Sequence, residues 1–317
     1  MLNSVKSPLD LETTHDETKL GFLGIALRKS KEAQHYVNLA EALKTNIIKY
    51  KNADDLLSVK ELLVPLCEAS GISTKARSYL NENELRELVK DFFAEFMYPL
   101  GSSYHDDLVS RYLLTLGDAL GGRMRNIIGN MASEKVTEKI IANLKLIDCK
   151  FQFLEKSSKK WISDSEYNIN MLPNVKGLSW RNSYGVRTLL YDTTVPVVRK
   201  NIDLVLLNKD CTDLNPKELK SCLSGVHNYV LLGELKGGID PAGADEHWKT
   251  AGTALNRIRT SFNAENKNVM TLFIGAAIET AMAIEMYNET LNETLTMCAN
   301  LTKSDQISEV CSWIINQ

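Results

Sequence analysis

The spacing of apolar residues changes near residue 150, and this change constrains the fold more than any other feature of the sequence. Before it, apolar residues recur every three or four positions, which is the period of one helix face. Two such stripes are Tyr36, Leu39, Ala40 and Leu43, and Leu85, Leu88, Val89, Phe92 and Phe93. After it, short apolar runs alternate with turn-forming residues, as in strands. The pattern predicts a mainly helical region over residues 1–150 and an α/β core over residues 151–317.

The predicted core consists of several short strands and two longer helices. Four runs are typical of strands: 188–191, 195–198, 202–207 and 229–236. Next come an amphipathic helix, a buried strand and a second helix, over 245–262, 269–278 and 279–297. In the helical region, glycine and proline predict breaks at residues 71, 99–101 and 121–122.

The composition is that of an ordinary globular protein, with 44% hydrophobic and 24% charged residues. The six cysteines form no C-x-x-C pair and no zinc-like cluster, so we expect reduced thiols and a cytoplasmic location. The polar N-terminus lacks the apolar segment of a signal peptide. No apolar run is long enough to span a bilayer, so no membrane association is expected.

The formal net charge of −3 weighs mildly against nucleic-acid binding. Non-specific affinity for nucleic acids comes from Lys and Arg side chains that neutralise phosphates. A cleft can nevertheless be positive on a protein whose outer surface is acidic. Composition alone therefore neither indicates nor excludes DNA as a ligand.

Two of the predicted strands carry charged residues that point to a metal-dependent reaction. Asp203 stands at the start of one apolar run, and Glu234 and Lys236 lie two residues apart on another, so they share a face. Acidic groups at the ends of core strands are costly unless they are solvated, paired or bound to a metal. Two carboxylates beside one lysine suit Mg²⁺, which takes oxygen ligands and keeps waters for a phosphate oxygen to replace. This arrangement fits phosphodiester hydrolysis, with Lys236 assisting the attacking water.

The acidic-x-Lys triplet alone is a weak signal. The chain has four other such triplets, beginning at Glu17, Asp148, Glu218 and Glu265. Context distinguishes the triplet that begins at Glu234, since an apolar strand precedes it and a Gly-rich turn follows. The alternative is an ion pair on an edge strand, which contributes about 1 kcal/mol or less.

The segment after this strand adds further candidates. Glycines at 237 and 238 would let the backbone approach a ligand, and Asp240 with the following proline predicts a rigid turn. His247 and Lys249 come near the start of the next predicted helix, beside the acidic strand end. A lone histidine is more often structural than catalytic, but its position here favours a catalytic role for His247.

These residues resemble a known family. The segment 233–251 (GELKGGIDPAGADEHWKTA), continuing into 254–259 (ALNRIR), resembles the signature block of the AvaI/BsoBI type II restriction endonucleases. Two upstream segments are also similar to that group, 190–198 (LYDTTVPVV) and 117–126 (GDALGGRMRN).

The resemblance implies a PD-(D/E)xK restriction-endonuclease-like core, with a helical N-terminal region that clasps DNA. It implies a homodimer that encircles double-stranded DNA and, with Mg²⁺, cuts both strands at CYCGRG to leave 5′ overhangs. By position, Asp203 and Glu234 match the metal-binding catalytic residues of the family. Lys236 matches its catalytic lysine, and His247 matches a histidine near the scissile phosphate. The sequence departs from the nuclease pattern in having Ile202 where a proline is expected before Asp203. A cognate DNA methyltransferase is expected in the same cell, without a stable complex.

The resemblance also suggests residues that contact DNA. Asp240 and Lys200 match places where family members contact bases. A carboxylate can accept from cytosine N4, and a lysine can donate to guanine O6 and N7. Arg28 and Lys75 match base-reading candidates by rough position only, and the alternative for each is a solvated surface charge. Arg123 and Arg125 are expected to support phosphates or the Gly-rich segment around them rather than to read bases.

Two other functions remain open at this point. Another nuclease of the same fold, acting in repair or recombination, would share the carboxylates without the sequence specificity. A non-catalytic DNA-binding protein would keep the acidic cluster only as structure. The presence of all three of Asp203, Glu234 and Lys236 argues against the non-catalytic protein.

Overall fold

An eight-stranded mixed sheet organises residues 151–300 in the computed structural model, which describes residues 1–317 except for the side chain of Ser102. The strands are β1 Phe151–Glu155, β2 Trp161–Ser163, β3 Val175–Asn182, β4 Gly185–Val195, β5 Lys200–Leu207, β6 Tyr229–Lys236, β7 Met270–Gly275 and β8 Met297–Asn300. The helices are α1 His15–Ile47, α2 Ala53–Leu57, α3 Leu63–Ala69, α4 Thr74–Arg77, α5 Glu82–Phe92, α6 Tyr104–Leu146, α7 Pro216–Ser224, α8 Ala244–Ala264, α9 Thr280–Leu291 and α10 Ser304–Ile315. The spatial strand order is β2-β1-β3-β4-β5-β6-β7-β8. The predicted α/β class with a helical N-terminal region is confirmed.

The direction of the strands follows from the length of their connections. The strands from β2 to β6 pair antiparallel, whereas β6, β7 and β8 pair parallel. Parallel neighbours need a crossover connection, and α8 and α9 provide the two crossovers. The amphipathic prediction for α8 is confirmed, because Trp248, Ala251, Leu255, Ile258 and Phe262 are all buried. This helix therefore packs its apolar face into the core beside β6 and β7.

Three predicted element boundaries are wrong. Residues 196–199 form a turn rather than part of a strand, because Pro196 has no N–H to donate to a ladder. The helix predicted over 279–297 ends at Leu291, and residue 297 already begins β8. No break occurs at residues 121–122, since α6 continues through both glycines. Tertiary packing can override the moderate helix penalty of glycine.

The chain forms two compact units, Met1–Leu23 with Ile127–Gln317, and Gly24–Asn126. The change of pattern near residue 150 marks the start of β1, whereas the units divide within the long helices α1 and α6. The last part of α6 belongs to the same unit as the sheet, because its side chains form hydrogen bonds with strand residues. Thr137 Oγ1 donates to Tyr191 Oη at 2.8 Å, in buried surroundings.

The N-terminal segment also belongs with the sheet. Asn300, fully buried at the end of β8, donates from Nδ2 to the Leu11 carbonyl at 2.8 Å and to Thr13 Oγ1 at 2.7 Å. Thr13 Oγ1 donates in turn to the Ala276 carbonyl at 2.7 Å. These bonds fix the first residues against the ends of β7 and β8.

The unit formed by Gly24–Asn126 has its own apolar core. The predicted stripes supply part of it, since Ala40, Leu43, Val89, Phe92 and Phe93 are buried. Leu39 and Leu88 are exposed, contrary to the prediction that the whole stripe faces the core. In the part of the chain that the structure describes, no helix is long and apolar enough to cross a membrane.

Candidate active site

Asp203 and Glu234 lie opposite each other on the neighbouring strands β5 and β6. Leu204 pairs with Gly233, and continuing this antiparallel register by one residue places Asp203 opposite Glu234. Lys236 follows two residues later on the same face, at the end of β6. The three predicted catalytic residues therefore come together, and we call them the reaction centre.

Hydrogen bonds connect the three side chains. Lys236 Nζ donates to Glu234 Oε2 at 2.8 Å and to Asp203 Oδ2 at 3.0 Å. The backbone N–H of Leu235 donates to the same Asp203 oxygen at 2.9 Å. The Leu235 contact was missed by sequence reasoning, because a backbone group leaves no signal in residue identities.

Burial makes the reaction centre electrostatically strained. Glu234 is only 5% exposed, and this burial together with the Asp203 carboxylate raises its pKa from 4.5 to about 7. Burial of Lys236 acts to lower its pKa, but Asp203 and Glu234 together outweigh burial and raise it. The centre thus holds two acidic groups that only one cation balances.

The donor set fits a divalent cation with oxygen ligands. Oxygens of Asp203 and Glu234 both lie within 3.0 Å of the Lys236 ammonium, so they converge on one positive charge. No cluster of three or more His, Cys, Asp or Glu suitable for a metal occurs among the described residues. Mg²⁺ does not require such a cluster, since it is usually bound by one or two carboxylates and completes its shell with waters and substrate phosphates.

His247 lies in the first turn of α8, close to the glycines that follow β6. A Cβ built on Gly238 would stand 2.8 Å from His247 Cε1, so a side chain there would collide with the ring. The Nδ1 atom of His247 is buried and has no hydrogen-bond partner among the described residues. A buried ring nitrogen without a partner is costly, so a water or another group is needed to complete its hydrogen bonding.

The glycines after β6 make room for protein rather than for an exposed ligand. A Cβ on Gly237 would stand 2.7 Å from the Ile128 carbonyl oxygen and 3.0 Å from Ala132 Cβ, both on α6. Gly238 faces the His247 ring. Close packing of α6 and α8 on this turn therefore explains both glycines.

The other predicted DNA contacts lie in two places. Asp240 is exposed in the turn after β6, where its Oδ1 accepts from the Ala242 N–H at 3.0 Å. Lys200 is exposed as the first residue of β5, three residues before Asp203. Both belong to the same compact unit as the reaction centre.

Arg28 and Lys75 lie in the unit Gly24–Asn126. Arg28 Nε forms an ion pair with Glu32 at 3.1 Å, and Arg123 pairs with the same carboxylate at 3.3 Å. Lys75 is exposed on α4. The structure therefore shows a paired Arg28 and a solvated Lys75, and it leaves their contact with bases a prediction.

A buried and a half-buried carboxylate beside a lysine, on adjacent strands of an α/β fold, are an arrangement expected of a nuclease. The chain belongs to the BsoBI family of restriction endonucleases, whose model, described as "Restriction endonuclease BsobI", matches residues 1–317. This membership confirms the resemblance found in the sequence.

Known relatives match nearly the whole chain. The type II restriction enzyme BsoBI of Geobacillus stearothermophilus is 43% identical over 317 residues, covering 99% of this chain and 97% of the relative. The type II restriction enzymes AvaI of a Nostoc species and of Anabaena variabilis are each 40% identical over 311 residues, covering 98% of both chains. Since type II restriction enzymes are site-specific deoxyribonucleases, this chain is an enzyme of that class.

Proposed function

We propose that this protein is a Mg²⁺-dependent type II restriction endonuclease that cuts both strands of duplex DNA at CYCGRG and leaves 5′ overhangs. The observation that carries the proposal is the convergence of Asp203 and Glu234 on Lys236 at the paired ends of β5 and β6. Family membership supports DNA as the substrate. The target sequence rests on the resemblance of the segment 233–251 to the family signature block.

The same arrangement supports a PD-(D/E)xK core. Asp203 takes the place of the acidic residue in the PD part of the motif. Glu234, Leu235 and Lys236 take the places of its (D/E)xK part. The residue before Asp203 is Ile202, which is fully buried in the strand. An apolar residue fits that place, and without the motif's proline Asp203 still lies opposite Glu234.

In the proposed reaction, Asp203 and Glu234 would hold Mg²⁺ and Lys236 would assist the attacking water. When bound, Mg²⁺ would polarise the phosphodiester and stabilise the charge that develops on the leaving oxygen. The Lys236 ammonium is held between two carboxylate oxygens, which orient it and raise its pKa, so it remains a cation. It can therefore hold the water by hydrogen bonding and offset negative charge on phosphorus. The resemblance places His247 near the scissile phosphate, and a water could pair with its buried Nδ1.

Recognition of the target is assigned to the two exposed residues near the reaction centre and to the helical region. Asp240 would accept from cytosine N4 and Lys200 would donate to guanine, with Arg28 and Lys75 as further base contacts. The region 1–150 would clasp the duplex. A palindromic target is read naturally by a two-fold symmetric protein, so a homodimer is proposed.

Digestion of a plasmid tests the proposal. Purified protein with Mg²⁺ should yield discrete fragments whose ends map to CYCGRG, and EDTA should abolish cutting. Lys236→Ala should reduce cleavage at least 100-fold, because it removes the group that assists the water, while specific binding remains. The matched control is Lys209→Ala, an exposed lysine beyond the other end of β5, which should cut normally. Random degradation, or cutting that requires branched or damaged DNA, would contradict the proposal.

A further inference from the structure

The turn between β1 and β2 lies at the same end of the sheet as the reaction centre. The antiparallel register places four strand termini at this end of the sheet: the start of β5, the end of β4, the start of β3 and the end of β1. The pairs that establish this are Val195 with Lys200, Gly177 with Leu190, and Glu155 with Val175. Residues 156–160 (KSSKK) therefore extend from the catalytic end of the sheet.

The side chains beside this turn also share a sheet face with Asp203. Residues directly opposite each other on paired strands point to the same side of a sheet. Following the register from β5 to β2 links Val205, Leu190, Gly177, Leu154 and Trp161. Val205 lies two residues from Asp203, so all of these share its face. The face that carries the reaction centre thus continues to the β1–β2 hairpin.

A groove of about 890 Å³ opens on this part of the face. Its floor contains Leu154, Trp161 and Leu190. The charged residues of its lining are four lysines and two carboxylates: Lys156, Lys159, Lys160, Lys176, Glu155 and Asp213. The rim is therefore basic, in a protein whose formal net charge is −3.

Three of these lysines have no internal counterion. Within the described part of the chain, the ion pairs of this region involve Lys150 with Asp164 and Lys176 with Asp192, and none involves the lysines of the KSSKK turn. All three are exposed. Their charges are thus available to an external anion.

The turn is held in a fixed shape. Its first backbone N–H, from Lys156, donates to the Asn174 carbonyl at 2.7 Å, and the Ser157 N–H donates to Asn174 Oδ1 at 3.1 Å. Asn174 Nδ2 donates back to Ser157 Oγ at 2.8 Å. A turn fixed in advance loses little backbone entropy on binding, so its lysines are presented for a ligand at low cost.

We infer that Lys156, Lys159 and Lys160 bind backbone phosphates of duplex DNA outside the cleaved sequence. This inference rests on the proposed endonuclease function. The hairpin strand β1 is three strands from β5 and four from β6, about 14 to 19 Å at the usual strand spacing. A duplex whose axis runs across the strands rises 3.4 Å per base pair, so the turn meets phosphates about four to six base pairs from the scissile one. Contacts of this kind position the duplex and carry no sequence information.

Binding measurements on duplexes of two lengths test this inference. One duplex carries CYCGRG with two flanking base pairs on each side and the other with ten, and both are titrated without divalent cations by fluorescence anisotropy. The test variant is K156Q/K159Q/K160Q. The matched control is K209Q/K217Q/K220Q, which neutralises three exposed lysines outside the KSSKK turn, one just after β5 and two on α7.

Wild type and control should bind the long duplex at least tenfold more tightly than the short one, and the test variant should lose most of that advantage. The slope of log affinity against log salt should fall by about 0.9 for each phosphate contact removed, and only on the long duplex. Equal flank dependence in all three proteins overturns the inference. A change in sedimentation of the test variant without loss of flank dependence also overturns it, and assigns the groove to a second copy of the chain.

The plasmid digest separates this result from failure of the proposed function. Wild-type cleavage at CYCGRG combined with flank-independent binding defeats the hairpin inference alone. Absence of cleavage at that sequence defeats the proposed function itself. With both intact, the test variant should still produce ends at CYCGRG, but at salt concentrations lower than the control tolerates.

Discussion

The fold disfavours the charged form of Glu234. It is almost completely buried, it faces the Asp203 carboxylate, and its pKa is raised to about 7. The Lys236 ammonium offsets only part of this cost. A carboxylate retained under such conditions is typical of functional sites, where stability is lost for the sake of binding or reactivity.

Glu234→Gln should therefore stabilise the metal-free protein at pH 8 while abolishing cleavage. Above pH 7, the folded wild type must ionise a buried acid, and the neutral amide avoids this penalty; a gain on the order of 1–3 kcal/mol is expected. The pKa of Glu234 in the folded state lies above the unfolded value of 4.5. The wild type therefore regains the lost free energy of unfolding as the pH falls from about 7 to 4.5. The advantage of the variant should shrink over that interval.

Thermal unfolding in EDTA at pH 8, 6 and 4.5 measures this effect. Added Mg²⁺ should raise the Tm of the wild type, since it binds the folded state, and should have little effect on the variant. Asp305→Asn provides the control, because this carboxylate is exposed in the first turn of α10 and shares no hydrogen bond with the reaction centre. A variant that is less stable than wild type at pH 8 would contradict the electrostatic argument.

The reaction centre could be predicted from sequence because charged residues interrupt apolar strands, which is a local signal. Asp203 stands at the start of one such run, and Glu234 and Lys236 stand at the end of another. Two other features could not be predicted from the sequence. The contact of the Leu235 N–H depends on the pairing of β5 with β6, and the burial of His247 Nδ1 depends on the packing of α8. Three-dimensional neighbours have no fixed spacing in the chain.

At the scale of elements, the turn after β6 is enclosed by helices that approach it closely. Gly237 lies against α6 and Gly238 against His247 of α8. On the third side, a Cβ built on Gly21 of α1 would stand 2.3 Å from Ile239 Cγ1 and 3.1 Å from its Cβ. Ile239 is buried and directly precedes the proposed base-reading Asp240. Packing of α1 therefore fixes the residue next to a proposed DNA contact.

Gly21→Ala should displace Ile239 and disturb Asp240. Overpacking of this kind typically costs about 1–3 kcal/mol, and the displaced turn should lower discrimination between CYCGRG and sites that differ by one base pair. Thermal unfolding and relative cleavage rates on matched and mismatched oligonucleotides measure the two effects. Adding Ile239→Ala should restore discrimination, since it removes the colliding atom.

Gly24→Ala is the matched control on the same helix, because no atom lies within 4 Å of a Cβ placed there. It should leave discrimination unchanged and stabilise α1 by about 0.5–1 kcal/mol, the usual preference for alanine over glycine in a helix. Equal behaviour of the two alanine variants would contradict a positioning role for the Gly21 contact.

Element boundaries were predictable only where local signals end an element. The helix breaks expected at residue 71 and at 99–101 occur, since Gly71 and Gly101 both adopt positive φ. The run through 279–297 stayed apolar enough to predict one helix, but the chain turns at Glu293 and residue 297 joins the sheet beside β7. Strand pairing decides where this helix ends, and the spacing of apolar residues in a single sequence does not indicate which strands pair.

At the scale of the whole molecule, the catalytic residues proposed for each chain form one cluster among the described residues, and the proposed target has two strands. The cluster of Asp203, Glu234 and Lys236 can act on one scissile phosphate at a time. A two-fold symmetric dimer on a palindrome places one such centre on each strand. Double-strand cleavage in one binding event therefore requires two intact chains.

A mixed dimer should consequently nick its target. Wild type and Lys236→Ala chains, co-expressed with different tags and purified through both, should convert supercoiled plasmid to the open circle, because only one strand meets an intact centre. The linear form should appear only after a second, independent binding event, at a rate that increases with enzyme concentration. Dimers of wild type with Lys209→Ala should instead produce linear DNA directly, as wild type does. Direct linearisation by the Lys236→Ala mixed dimer would show that one centre cuts both strands, and that the proposed one-centre-per-strand arrangement is wrong.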